Sequence, residues 1–272
     1  MNYKKQYLEA SGYTELCNET NSSLKTMKFG IIKLDAGHKC SYTTGKYEAA
    51  LVILGGRCTV KFADGKVYEK VGSRRSVFEG KAHCIYLPRH TDVVISTDWS
   101  VKIAVTATPI DCDTQAEVIT PDRVKVAMLG QRSFERETHF IVDGSTNAKH
   151  LTIGEAFITP GNWAGFPPHK HDTNKMPAEG VLEELYYFLF QPSQGFALQR
   201  LYTKDGTIDE CYVVKQDELV EFPCGYHTTV GAPGYNTYFL WTMAGDCQGF
   251  FRSNDPDHDW VVAVENLLKK TK

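Results

Sequence analysis

The feature that most limits what this chain can fold into is a succession of short apolar runs. Each is closed by turn residues, and no long helical period lies between them. Phe29 to Leu34 reads as a strand, with Asp35-Ala36-Gly37 as its turn. Glu48 to Leu54 is stopped by Gly55-Gly56, and Cys58 to Phe62 ends in the hairpin signal Ala63-Asp64-Gly65-Lys66. Val77 to Gly80, Cys84 to Pro88, Asp92 to Ser96 and Val101 to Ala107 continue the series. Such a pattern predicts an antiparallel sandwich or barrel.

The pattern then repeats. Thr108 to Asp122 is polar and carries Pro109, Asp111, Asp113 and Pro121, which reads as a connection between two units. Strands are expected again at His150 to Ile158, Glu184 to Phe190, Gly195 to Thr203, Glu210 to Val214, Leu219 to Phe222 and Asn236 to Met243. Residues 1 to about 28 read as an irregular or short-stranded entry. Asp257 to Lys270 reads as an amphipathic helix whose apolar stripe is Trp260, Val261, Val264, Leu267 and Leu268. The expected units are residues 1–115 and 116–272. The halves echo each other faintly: Gly37-His38-Lys39-Cys40 precedes Glu48, and Cys84 to Pro88 matches the run before Pro223. An internal duplication is the reading.

Composition excludes several classes. A net charge of -3 leaves no nucleic-acid footprint. No apolar run approaches membrane-spanning length. Met1 to Tyr7 lacks the apolar core of a signal peptide. The 8 cysteines are scattered singles without a Cys-x-x-Cys pair, so reduced, mostly buried thiols in a cytoplasmic protein are expected.

The chemistry concentrates between Thr159 and Asp246. His169 and His171 stand two apart and share a face if the backbone there is extended. An isolated His-x-His is common on surfaces; this one gains meaning from its neighbours. Leu182-Glu183-Glu184-Leu185-Tyr186-Tyr187 can supply a carboxylate, and Pro223-Cys224-Gly225-Tyr226-His227 a third imidazole. Three histidines and one carboxylate suit zinc, manganese, iron or nickel.

Gly-(spacer)-His-x-His-(spacer)-Glu, followed by Pro-x-Gly-x-His, resembles the two cupin motifs. The whole chain resembles a bicupin, and more closely the 5-deoxy-glucuronate isomerase family of inositol breakdown. The residues that carry this are Thr159-Pro160-Gly161-Asn162-Trp163, Pro167-Pro168-His169-Lys170-His171-Asp172, Gln194 to Arg200, Gly225-Tyr226-His227, Ala232-Pro233-Gly234-Tyr235 and Asp255 to Trp260. The first half matches only in pattern. Three departures bear on the sugar. The strand Tyr186 to Phe190 ends in apolar Phe188-Leu189-Phe190, where the family tends to be more polar. Cys224 stands where the family pattern has arginine. Phe239-Leu240-Trp241 looks more like the sister 4-deoxy-L-threo-5-hexosulose-uronate ketol-isomerases.

The resemblance implies an all-β bicupin of two tandem jelly-roll barrels with a short C-terminal helix. The N-terminal cupin would lack metal ligands. The reaction would be a metal-assisted aldose–ketose isomerisation of a deoxy-uronate, by a homo-oligomer, with one divalent ion, zinc first. The rivals are the sister ketol-isomerase, a cupin dioxygenase with the same ligand types, and a non-catalytic binding protein. The implied metal ligands are His169, His171, Glu184 and His227. Glu184 is preferred to Glu183 because it shares strand phase with Tyr186, Phe188 and Phe190, a coherent aromatic wall. Glu183, Tyr186 and Tyr238 are candidates for moving the proton. Arg200, then Arg136, are candidates for the substrate carboxylate, with Gln199 and Trp241 beside the substrate. Lys170 should point away from the metal face. Asp172 is either an acceptor for a ligand histidine or a solvated loop carboxylate. His38, His83 and His90 are read as structural.

Overall fold

The computed structural model describes residues 2–246 and 248–270. Two compact units emerge: residues 7–125 with 140–153, and Met1–Gln6 with Val126–His139 and Gly154–Lys272. A single cut after residue 115 does not describe them. The first strand belongs with the second unit, and a short later segment belongs with the first.

The N-terminal unit is a pair of sheets. One runs in the order Glu117–Ile119, Cys84–Leu87, Tyr47–Gly56, Val101–Pro109, Lys28–Leu34, Gly12–Cys17. The other runs Lys39–Thr43, Asp92–Ser96, Cys58–Phe62, Val67–Val71. Alternation along Tyr47–Gly56 turns Ala49, Leu51 and Ile53 into one buried apolar cluster with Ile85, Val60 and Ile95. Burial of such side chains contributes about 1.5–3 kcal/mol each.

The C-terminal unit repeats this plan. Its large sheet runs Lys4–Gln6, Glu218–Phe222, Glu179–Gln191, Asn236–Gly245, Leu151–Ile158, Arg136–Val142, Lys125–Leu129, with Asp172–Lys175 paired to Glu179–Gln191. Its second sheet runs Asp209–Lys215, Phe196–Tyr202, Tyr226–Gly231, Trp163–Lys170, Ser253–Asn254. In both units the long central strand lies between equivalent partners, which accounts for the faint repeat. The all-β double barrel is the architecture observed.

Several expectations give way. Val77 to Gly80 is a turn, because Ser76 draws the chain round: its hydroxyl accepts Phe78 N–H at 3.1 Å and its carbonyl accepts Glu79 N–H at 3.1 Å. The polar stretch 108–122 contains the strand Glu117–Ile119, paired with Cys84–Leu87. The helix begins at Trp260, after a turn. Its stripe is only partly buried: Val261 is inside, whereas Trp260, Val264 and Leu267 are exposed. The described cysteines form no disulfide; Cys17, Cys58 and Cys84 are buried, but Cys112 and Cys211 are exposed, and Cys247 lies outside the described residues. No helix among the described residues is long and apolar enough to cross a membrane.

Candidate metal centre

Two strands and a loop of the C-terminal barrel bring His171, Glu184 and His227 together. Their ligand atoms lie within 4.8 Å of one another, and this is the one such group among the described residues. Each is almost fully buried.

Local structure explains the convergence. His169 sits directly opposite His227 across the Trp163–Lys170 and Tyr226–Gly231 strands. Upstream the register slips: residues 164 to 169 span what 229 to 227 span on the partner. Gly165, at φ +61, lies in this bulge, and a Cβ there would come within 3.4 Å of the His169 ring. The strand ends at Lys170, so the shared face of His169 and His171 does not rest on one unbroken strand. Their ring centroids are nevertheless only 6.4 Å apart, and His169 lies 4.6 Å from His227. His227 follows Gly225, whose φ of +88 and approach to the Tyr202 carbonyl (2.6 Å for a Cβ) leave room only for glycine.

The histidines are oriented by carbonyls. His171 Nδ1 lies 2.6 Å from the Leu182 carbonyl, and His227 Nδ1 lies 3.4 Å from that of Gly225. With Nδ1–H donated there, both Nε2 atoms point at one carboxylate oxygen, Glu184 Oε2, at 2.8 and 3.0 Å. His227 Nε2 makes no well-aligned hydrogen bond, and buried His169 Nδ1 has no partner. Buried lone pairs left over around a carboxylate fit a divalent cation.

The electrostatics agree. Burial would raise the Glu184 pKa, yet its bonds to His171 and His227 hold it down at about 2. His171 is lowered by burial but raised further by Glu184, so its net shift is upward. His227 is pulled down, chiefly by burial. His169 lies well below its usual value through burial and then the charges of Arg252, His227, His171 and Arg136. It is a neutral imidazole at neutral pH.

The other expected residues divide. Tyr186 faces the group, its ring 5.8 Å from His227 and stacked on Phe239 at 4.2 Å. Trp241 is its cross-strand neighbour and lies over Gly154, where a Cβ would meet the indole at 2.1 Å. Gln199 lies on the His227 side of its strand, but Thr228, Thr229 and Arg200 backbone or hydroxyl groups take up its amide. Glu183 has the opposite strand phase to Glu184 and is turned away. Tyr238 also points to the far face, where its hydroxyl donates to Glu155 at 2.9 Å. Arg200 alternates with Leu201, the partner of His227, so its side chain leaves the barrel, is exposed, and reaches Asp209 at 3.3 Å. Arg136, the second choice, is buried.

Lys170 points away from the histidines, to Asp172, Thr173 and Glu179. Asp172 binds no ligand histidine. Its Oδ2 accepts Gly225 N–H at 2.7 Å, so it ties the His171 turn to the His227 turn.

Phe222 and Arg252 are residues that sequence reasoning missed. Phe222 stacks on His227 at 4.5 Å; its place just before Pro223, at the end of the expected strand Leu219 to Phe222, was a usable signal. Arg252 Nη1 reaches His169 Nε2 at 3.5 Å from an irregular segment that has no periodicity to read.

A double β-barrel carrying, among the described residues, one buried His–Glu–His group defines a cupin-type protein with a candidate metal centre. Known proteins agree in fold: an oxalate decarboxylase from Lactobacillus farciminis superposes with a TM-score of 0.67 at 11% identity, over 100% of this chain and 93% of that one. The model of the KduI/IolB family matches residues 3–261, and this chain belongs to that family. It is similar to the 5-deoxy-glucuronate isomerase of Geobacillus kaustophilus, 37% identical over 243 residues, 89% of this chain and 88% of the relative. It is also similar to that of Bacillus subtilis strain 168, 34% identical over 265 residues, 95% of this chain and 97% of the relative. A crystal structure of an IolB-like protein from Salmonella typhimurium LT2 superposes with a TM-score of 0.92 at 32% identity, over 96% of this chain and 100% of that one.

Proposed function

We propose that this protein is a 5-deoxy-glucuronate isomerase of myo-inositol catabolism, converting 5-deoxy-D-glucuronate to 5-dehydro-2-deoxy-D-gluconate. The observation that carries the reading is the buried His171–Glu184–His227 group in a chain 34–37% identical to relatives of that name over most of its length. His171, Glu184 and His227, with His169 completing the set, would hold one divalent ion, zinc first. Bound there, the ion would supply positive charge against the negative charge that develops on the sugar's carbonyl and hydroxyl oxygens.

The chain's own residues would do the rest. In the aldose–ketose exchange, hydrogen leaves C2 for C1 and the hydroxyl proton moves from O2 to O1. Burial, and then the charge of Glu184, keep the Tyr186 phenol protonated. Its Oη is thus suited to donate a hydrogen bond to a substrate oxygen, not to act as the base. Burial, and then the charges of Arg252, His227, His171 and Arg136, keep His169 neutral, which suits it to offer a lone pair to the ion rather than to act as the base. Phe222, Phe239 and Trp241 exclude water.

We also infer a cytoplasmic homo-oligomer. The absence of a disulfide among the described cysteines supports the compartment. Phe196, Leu198 and Val213, exposed on one outward sheet face, support self-association. The test is elemental analysis beside an isomerase assay on 5-deoxy-glucuronate, with and without chelator. About one metal per chain with chelator-sensitive turnover supports the reading. Metal without turnover on this acid, but with turnover on the 4-deoxy-5-keto uronate, would move the substrate to the sister reaction. Dioxygen uptake would replace isomerisation altogether.

A further inference from the structure

Two arginines stand beside the His–Glu–His group with no ion pair to a carboxylate among the described residues. Arg136 is only 6% exposed, and its one hydrogen bond is to the Phe134 carbonyl at 3.3 Å. The charge of Glu265 acts on it through space. Arg252, at the surface, reaches the buried His169 Nε2 at 3.5 Å and has no ion pair among the described residues. Lys170, by contrast, sits between Asp172 and Glu179. A guanidinium buried without a counter-charge costs several kcal/mol. Here two like charges share the neighbourhood, and both act on His169 and on Tyr186. Burial, and then the charge of Arg252, lower the Arg136 pKa to about 10.

Backbone geometry holds both in place. On the Arg136–Val142 strand, Glu137 and His139 bond each other on one face, which leaves Arg136 and Thr138 on the other, buried one. The turn leading into Arg136 is fixed by Asn162, whose Nδ2 donates to the carbonyls of Arg132 and Glu135 at 2.9 Å each. Arg252 immediately precedes Ser253–Asn254, which pairs with His169 and Lys170.

We propose that Arg136 and Arg252 form a carboxylate subsite that anchors the acid end of the substrate while its other end reaches the histidine–glutamate group. The identity of the acid rests on the isomerase reading above; the subsite itself rests on the unpaired arginines. Planar guanidinium donors match a carboxylate in two-point contact. The carboxylate is unchanged in the reaction, so its contacts serve binding and alignment. They also select uronates over neutral sugars, because a neutral ligand leaves the buried cation unpaired.

The test uses the full-length, metal-loaded protein and two probes that cannot isomerise: D-gluconate, a six-carbon hydroxy acid, and sorbitol, its neutral counterpart. Titration calorimetry is run on wild type, Arg252→Ala, Arg252→Lys and Arg136→Met, with metal content measured for each. The wild type should bind gluconate better than sorbitol. Arg252→Ala and Arg136→Met should each weaken gluconate about tenfold or more, with sorbitol affinity and metal content little changed, and Arg252→Lys should recover part of the loss. If Arg136→Met does not fold, Arg136→Lys with Arg252→Ala carries the test. Gluconate affinity unchanged in both arginine variants, equal losses for the two probes, or no wild-type preference for gluconate at millimolar concentration would each overturn the subsite. If gluconate discrimination follows the arginines while the wild type turns over no 5-deoxy-glucuronate, the isomerase reading fails and the subsite stands. Turnover with gluconate binding indifferent to both arginines is the reverse.

Discussion

The two barrels of this chain share a plan and differ in what fills them. In the C-terminal barrel, Glu184 sits opposite Phe222 on one neighbouring strand and Met243 on the other, and Phe222 precedes a proline. In the N-terminal barrel the position opposite Leu87, which also precedes a proline, and opposite Ala107 is Ala49. Where one barrel directs a carboxylate inward, the other has a methyl group, followed in phase by Leu51 and Ile53 in a continuous apolar cluster. Glu48 looks like the counterpart of Glu184 in sequence but has the opposite phase. It faces away from the cluster and accepts the N–H groups of His150 and Leu151 at 2.8 and 3.0 Å and the Tyr86 hydroxyl at 2.8 Å. A shift of one residue in a strand separates the carboxylate of the His–Glu–His group from a structural anchor.

The largest effect should follow from removing a member of the His–Glu–His group. His171→Ala deletes the imidazole that the Leu182 carbonyl orients toward Glu184. Bound metal and isomerase activity should both fall by about a thousandfold or more, with the circular dichroism of the fold retained. Full metal occupancy in this variant would break the distinction between the barrels as drawn here.

The complementary test lies in the first barrel. Leu51 is fully buried in the apolar cluster, so Leu51→Ala should cost about 2–5 kcal/mol of stability. Denaturant unfolding would measure it. Metal bound per folded chain should be unchanged. A drop in metal content among the folded molecules would mean that the first barrel takes part in ligation.

How much of this was legible before the structure follows from the same contrast. Strand phase picked Glu184 over Glu183 because a period of two needs no tertiary information. It also placed Tyr186, Phe188 and Phe190 on one buried face, where their rings neighbour one another. The choice of Arg200 failed although Gln199 and Arg200 were known to face opposite ways, because phase alone does not say which way is in. That required the partner strand, where Leu201 meets His227. Tyr238 failed for the same reason. The Trp163–Lys170 strand was obscured by Pro167 and Pro168, which ordinarily argue against a strand interior. Arg252 comes from a segment with no periodicity, and only three-dimensional proximity reveals it.

A smaller effect should come from the tie between the ligand turns. Asp172→Asn keeps an oxygen for Gly225 N–H but loses the charge that balances Lys170. The His171 and His227 turns should loosen, and metal affinity should fall about 10–100-fold, read by competition with a chelator. Unchanged affinity would show that the turns hold themselves.

The smallest effect is a pH signature that the apolar barrel cannot have. In the metal-free protein, Glu184 is depressed to about 2 from an ordinary 4.5, so its stabilising contribution is present above about 4.5 and lost as pH falls toward 2. His171 is raised from an ordinary 6.5, so its contribution is full below 6.5 and lost as pH rises through its folded value. The pair therefore stabilises the metal-free chain most between about pH 4.5 and 6.5. Glu184→Gln removes this window. The difference in Tm between wild type and variant should be greatest there and shrink toward pH 3 and toward pH 9, whereas Leu51→Ala should lower Tm by a similar amount at every pH. Metal has the opposite preference, since it must displace the proton that His171 holds, so its binding should tighten as pH rises from 5 to 8. A difference for Glu184→Gln that stayed flat with pH would mean that the carboxylate and the two imidazoles are not coupled, and the contrast between the barrels would then rest on packing alone.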